Sequence, residues 1–355
     1  MKPLQVLIVT PQGRGGAGGI DRIMDQLRVL GTGRAEVALH FAISRGPHIL
    51  TSLFFVPFTA ARIIVSALEG RLDLVHLNLA SNASTYRKVF LSWICRLVGV
   101  PYVIHLHGSR FHKFWAALPP LRKRVVDDFF RHAGGNIVLG QVWREVLLTH
   151  LPDLEPRIRI VANATASRPA AAGNQDTPHI LFLGQLGERK GVPDLLAALA
   201  SLGADQPWRA TVAGNGDLTT MRRLADELGL GERVSMPGWV GSRDVDGLID
   251  SADILVLPSY DENLPMSVIE GMAAGLAVVA TPVGATEDII HHDETGLLVA
   301  PGDVEGQRAA LDRLLSDRAL RQRLGSAARH HHEIALDAAT YLDRLLVPWQ
   351  AAARQ

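Results

Sequence analysis

The sequence predicts an α/β protein built of two doubly wound halves, each a parallel sheet with helices on both faces. Three observations carry this. The chain has 355 residues, more than one ordinary core holds at roughly 100–200 residues per domain. Short β-branched runs alternate with amphipathic stretches of helical length, the pattern of strands joined by crossover helices. One stretch, residues 163–178 (NATASRPAAAGNQDTP), has no periodicity and is rich in Ala, Pro, Asn and Gly, so it reads as a linker.

In the first half the apolar runs place strands at Val6–Val9, Val37–Ala42, Leu72–Leu77, Tyr102–His105, Asn136–Leu139 and Arg159–Val161. The intervening amphipathic stretches place helices near Gly19–Leu30, Ser52–Glu69, Ser84–Val98, Pro119–His132 and Val142–His150. A second series follows the linker, with strands at His179–Leu183, Trp208–Ala213, Val234–Met236, Ile254–Leu257, Ala277–Ala280 and Gly296–Val299. Its helices fall near Val192–Leu202, Leu218–Leu228, Val245–Asp250, Leu264–Ala274, Ala285–Ile290, Val304–Leu315 and Ala319–Arg329. The expected domains are 1–165 and 166–334, facing a central cleft, with a last helix in 335–355 packing back on the first. Open α/β sheets bind ligands beyond the carboxyl ends of their strands.

Composition narrows the class. The chain is 47% hydrophobic and 20% charged, which excludes disordered and fibrous proteins. A single cysteine, Cys95, excludes an internal disulfide framework and a Cys-rich zinc site, and suits a reducing cytoplasm. The net charge is zero, yet residues 1–165 hold 20 Lys and Arg against 10 acids, while the rest hold 16 against 26. The +10 half is expected to face something anionic. No secretory leader is read at the start. The greasiest stretch, Ile49–Leu68, contains Pro57 and Arg62 and is not expected to span a bilayer.

The richest segment is Asp253–Thr281, where a strand ends at Leu257-Pro258-Ser259 and a loop carries Asp261-Glu262-Asn263-Leu264. Pro265 then opens a helix, whose N-terminus favours phosphate or sugar oxygens. Glu262 and Glu270 stand with seven residues between them, so one carboxylate can meet each end of a ligand. Spacing alone fits an N-cap acid and a solvated helix glutamate better. Glycines at Gly15–Gly19 follow the first strand and allow close backbone approach. They also fit a dinucleotide fingerprint loosely, although no acid ends the second strand.

These residues resemble a family. Glu262-x7-Glu270 followed by Gly271–Val279 looks like the signature of retaining GT-B glycosyltransferases of family 4. Phe182–Gly191 matches that family's phosphate-binding loop; Val212–Gly216, Met236–Val240, Gly15–Gly19 and Val103–Ser109 follow in its order. The resemblance covers nearly the whole chain and is nearest to the bacterial exopolysaccharide branch, which joins sugars on lipid-linked intermediates. It implies a nucleotide-diphosphate sugar, GDP-mannose or a UDP-sugar, as donor substrate, with no cofactor. It assigns Glu262 to a donor-sugar hydroxyl, Glu270 to the ribose, His107 to the sugar edge and Lys190 to the leaving diphosphate. Gly18, Gly19, Gly214, Asn215, Trp239, Asn263, Leu264 and Pro265 fall on its donor-binding positions. Gln185 stands where the family usually has Arg, and Arg189 is the candidate to supply the missing charge. The quoted motifs contain no Asp-x-Asp pair, so no metal is expected.

Remaining features are read from the residues. His105 is expected to be structural and to face away from His107. His330-His331-His332 is expected to be a solvated run, since three consecutive residues cannot share one helix face. The basic and aromatic segment Arg110–Arg131 suits an anionic membrane surface better than nucleic acid. The expected setting is the inner face of the cell membrane, with a saccharide or polyprenyl-diphosphate-linked acceptor. A nucleotide-sugar epimerase or phosphorylase, and a non-catalytic dinucleotide-binding protein, are the alternatives.

Overall fold

The structure is a computed structural model that describes residues 2–15, 19–173, 177–203 and 206–354. The chain divides into two compact units, Met1–Ala164 with Ala338–Gln355, and Thr165–Asp337. The first unit carries β1 (Leu4–Thr10), α1 (Gly19–Leu30), β2 (Val37–Ile43), α2 (Ser52–Leu68), β3 (Leu74–Leu79), α3 (Ala83–Leu97) and β4 (Tyr102–Leu106). It continues with α4 (Phe111–Ala116), α5 (Pro120–Arg131), β5 (Gly135–Val138), α6 (Gln141–His150) and β6 (Ile158–Ile160). The strands form one parallel sheet in the order β2-β1-β3-β4-β5-β6. Every residue of β3, β4 and β5 is buried, the polar His76, Asn78, His105 and Asn136 among them, as central strands between two helical layers are.

The second unit carries β7 (His179–Leu183), α7 (Val192–Ala200), β8 (Arg209–Ala213), α8 (Leu218–Glu227), β9 (Val234–Gly238), α9 (Ser242–Asp250) and β10 (Ile254–Leu257). α10 (Met266–Ala273), β11 (Ala277–Ala280), β12 (Leu297–Leu298), α11 (Val304–Ser316) and α12 (Arg318–Ala335) complete it. Its parallel sheet runs β12-β11-β10-β7-β8-β9. Winding reverses between β1 and β3 in one sheet and between β7 and β10 in the other. The loops leaving those strands part at their carboxyl ends and leave a crevice for a ligand.

Three local expectations are corrected. The helix expected at 285–290 is a single 3-10 turn, Thr286–Asp288. Helix α4 is an additional helix between the expected strand at Tyr102–His105 and the expected helix near Pro119–His132. The last helix, α13 (Tyr341–Ala353), begins six residues later than expected, after a 3-10 turn at Ala338–Thr340. It packs on β3, β4 and β5, and Gly134 admits it, because a Cβ there would lie 2.8 Å from Ala352 Cβ.

Segment Ile49–Leu68 is continuously helical. A 3-10 turn at Ile49–Thr51 runs into α2, giving 20 helical residues of mean hydropathy 1.8, long and apolar enough by length and composition to cross a membrane. Pro57 sits inside the helix without ending it. Arg62 folds back to donate to Phe41 O (2.7 Å), so its charge does not interrupt the apolar face. Leu53, Phe54, Phe58 and Leu68 are 72%, 79%, 69% and 80% exposed.

Candidate active site

In the second unit the crevice is made by the loops leaving β7 and β10. They meet because Gly191 is left-handed (φ +67°) and a Cβ there would lie 2.1 Å from Pro258 O. Tyr260 N–H donates to Arg189 O (2.9 Å), and Arg189 Nη1 donates to Asp261 O (3.1 Å). This cross-tie brings Lys190 Nζ onto Glu262 Oε1, with side chains only 14% and 10% exposed. Ser259, fully buried, donates its hydroxyl to the same oxygen (2.7 Å). Gly284 (φ +60°) supports the loop from behind, where a Cβ would lie 2.3 Å from Glu262 O. A buried carboxylate held by a cation and a hydroxyl can accept from a ligand hydroxyl, and the cation can meet an anion.

The other predicted donor residues lie along the same sheet edge or just beyond it. Gly214, after β8, lies flat on the β7 loop, since a Cβ there would be 1.6 Å from Gly184 O. Asn215 is exposed and its carbonyl accepts from Leu186 N (2.6 Å). Trp239, after β9, is 68% exposed. Asn263 and Leu264 are buried, Pro265 is the N-cap of α10, and Glu270 is half-buried on that helix. Gln185 is exposed, and its Oε1 accepts from Arg189 Nη2 (3.2 Å).

In the first unit the glycine loop follows β1. Gly18 lies outside the described residues, and Gly19 opens α1. Asp21, buried, accepts from Gln12 N (3.1 Å) and Gly13 N (3.0 Å), and Asp25 accepts from Gly15 N (2.8 Å). Burial raises the Asp21 pKa above its usual value. Three backbone donors of this loop are therefore committed to carboxylates.

His107 follows β4; its N–H donates to Leu79 O (2.8 Å), and its Nε2 meets Asn78 Oδ1 (2.9 Å). His105 is buried as expected, but it does not face away. Residues two apart on a strand share a side, and the two rings lie 4.0 Å apart. Burial, then the charge of nearby His76, pushes the His107 pKa down to about 3, and burial takes His76 to about 4. Both are neutral near pH 7.

Other expectations change. Of the histidine run, His330 is exposed, but His332 is buried, with Nε2 against Thr165 Oγ1 (2.9 Å). In the basic and aromatic segment Phe111, Trp115, Phe129 and Phe130 are buried, so those rings form core, while Leu121 stays exposed. Asp244-Val245-Asp246, beyond the motifs, is an Asp-x-Asp pair whose Asp246 accepts from Arg168 (3.1 Å). Among the described residues no group of three or more His, Cys, Asp or Glu is placed to hold a metal ion. Sequence reasoning missed Ser259, Asp21 and Asn78. It also missed Lys88, which is fully buried and donates to Ser44 Oγ (2.7 Å). Ser259 alone carried a signal, standing at the end of a strand whose loop was already singled out.

Two Rossmann-like α/β units with loops of this kind define the fold of GT-B glycosyltransferases. Anabaena Alr3699/HepE, solved in complex with UDP, has it: the TM-score is 0.76 at 15% identity, over 98% of this chain and 100% of that one. Residues 163–331, most of the second unit, match the model of the glycosyl transferases group 1 family. The 2-deoxystreptamine glucosyltransferase of Streptomyces kanamyceticus is 28% identical over 69% of this chain and 71% of its own length. The lipopolysaccharide core biosynthesis glycosyltransferase LpsE of Rhizobium meliloti is 30% identical over 50% of this chain and 52% of its own. Across these and a third relative, the alignments span 40–71% of the relative's length.

Proposed function

We propose that the chain is a retaining family 4 glycosyltransferase of the hexosyltransferase class. It moves a sugar from a nucleotide-diphosphate sugar, GDP-mannose or a UDP-sugar, to a saccharide or polyprenyl-diphosphate-linked acceptor in surface polysaccharide synthesis. One observation carries the reading: Lys190, Glu262 and Ser259 converge at the point where the second sheet reverses its winding. Lys190, Arg189 and the N-terminus of α10 neutralise the leaving diphosphate without a metal. Removing one contact of this kind costs ~10²–10³ in rate. Glu262 orients a donor-sugar hydroxyl, Glu270 takes the ribose, and His107 meets the sugar edge. The UDP in HepE and the lipopolysaccharide role of LpsE support the donor and acceptor classes.

The protein works on the inner face of the cell membrane. In support, residues 37–126 hold 11 Lys and Arg against two acids, Glu69 and Asp73, and α2 offers them an exposed apolar neighbour. A thermal-shift screen of UDP, GDP, ADP and NAD tests the reading. One nucleoside diphosphate should stabilise the protein, by ~2.7 kcal/mol at 100 times its dissociation constant. Stabilisation by NAD alone would overturn it in favour of a dinucleotide-binding protein.

A further inference from the structure

Behind His107 lies a buried polar chain that the proposed reaction does not itself explain. Trp349 of α13, fully buried, donates its indole Nε1–H to His76 Nδ1 (2.9 Å). His76, on β3, presents Nε2 to Asn78 Oδ1 (3.3 Å), and Asn78 Oδ1 also meets His107 Nε2 (2.9 Å). Asn78 Nδ2 donates to Val9 O (3.1 Å). His76, Asn78 and His105 are all fully buried, and the His105 ring packs edge-on to His76 (5.2 Å) as well as against His107.

The two ends of this chain have fixed chemistry. An indole nitrogen can only donate, and a backbone carbonyl can only accept. Trp349 therefore makes His76 Nδ1 an acceptor, which leaves the His76 proton on Nε2. Val9 O fixes the Asn78 amide with its oxygen toward the histidines; the reverse orientation would set oxygen against oxygen. That oxygen then takes an Nε2–H from His76 and another from His107. Each link permits one arrangement for neutral rings.

We infer that Asn78, oriented by Val9 O, is a positioning residue that locks His107 in its Nε2–H tautomer and so presents Nδ1 as a hydrogen-bond acceptor, while Trp349 sets the tautomer of His76 beside it. An acceptor at that position suits a hydroxyl and repels a phosphate or carboxylate oxygen. Resting on the proposed function, the group that meets His107 is thus a sugar or acceptor hydroxyl, never the diphosphate. The backbone of β1, through Val9 O and Asn78, thereby sets the chemistry of a residue on the β4 loop.

The tautomer is measurable without any ligand, so this inference and the proposed function can fail separately. Long-range ¹H–¹⁵N spectra of the protein labelled at histidine, with His107→Gln and His76→Gln used for assignment, should place the proton of both rings on Nε2. A His107 proton on Nδ1, or a charged ring at pH 7, overturns the inference. Trp349→Phe removes the donor while keeping an aromatic ring; it should mix the tautomers of His76 and leave His107 on Nε2. Asn78→Leu removes the acceptor and should mix the tautomers of His107; an unchanged His107 signal in that variant overturns the assignment to Asn78. With the nucleotide sugar that stabilises the protein, the Nδ1 resonance should move, and with the same nucleoside diphosphate alone it should not. A shift of equal size with both would contradict the hydroxyl assignment.

Discussion

Gln185 stands where the resemblance expects Arg, and the proposed function gives that charge to Arg189, whose guanidinium donates to Asp261 O and to Gln185 Oε1. Arg189→Gln should weaken nucleoside diphosphate binding about 10–100-fold, the worth of a charge-assisted bond of about 1.5–3 kcal/mol. Gln185→Arg should bring no gain, because it sets a second guanidinium against the first and removes an acceptor. Titration calorimetry decides; tenfold tighter binding by Gln185→Arg with a silent Arg189→Gln would reverse the assignment. Lys190 and Glu262 were legible in the sequence because a motif carries them. Asn78 and Asp21 were not, since each acts on a backbone or ring that only the folded sheet brings within reach. The two-residue spacing of His105 and His107 did hold the shared side; reading it as opposition was an error of periodicity.

Among elements, strands were the most legible, because a parallel sheet needs short apolar runs and turns between them. Helix α4 was not, since its buried Phe111 and Trp115 sit among surface cations and resemble an interfacial stretch. Helix α2, expected near Ser52–Glu69, forms at Ser52–Leu68. Pro57 and Arg62 mark a broken apolar run on paper, yet the helix tolerates the first and hides the charge of the second. The membrane surface proposed for the first unit is therefore α2 with basic residues around it, each contributing about 1 kcal/mol near an anionic bilayer. Phosphatidylglycerol vesicles should sediment the wild-type protein at low salt and less at high salt, as charges are screened beyond ~8 Å at physiological ionic strength. Phe54→Ser with Phe58→Ser, at side chains already 79% and 69% exposed, should abolish sedimentation without lowering thermal stability. Undiminished sedimentation of that variant, or none by wild type at any salt, would remove α2 from the account.

At the scale of the whole molecule, sequence reasoning reached two parallel sheets because alternating strands and helices leave a regular mark along the chain. It could not reach the strand orders, which place the loops after β7 and β10 side by side, nor the indole that α13 sends back to His76. The most direct test of the central claim is turnover. The purified protein is incubated with UDP-, GDP- and ADP-sugars and a membrane lipid extract, and nucleoside diphosphate release and product anomeric configuration are followed by NMR. The account predicts acceptor-dependent release from one donor, a product that keeps the donor's anomeric configuration, and a loss of at least ~10² in rate for Glu262→Gln. No release from any donor, an inverted product, or a Glu262→Gln rate within threefold of wild type would contradict it.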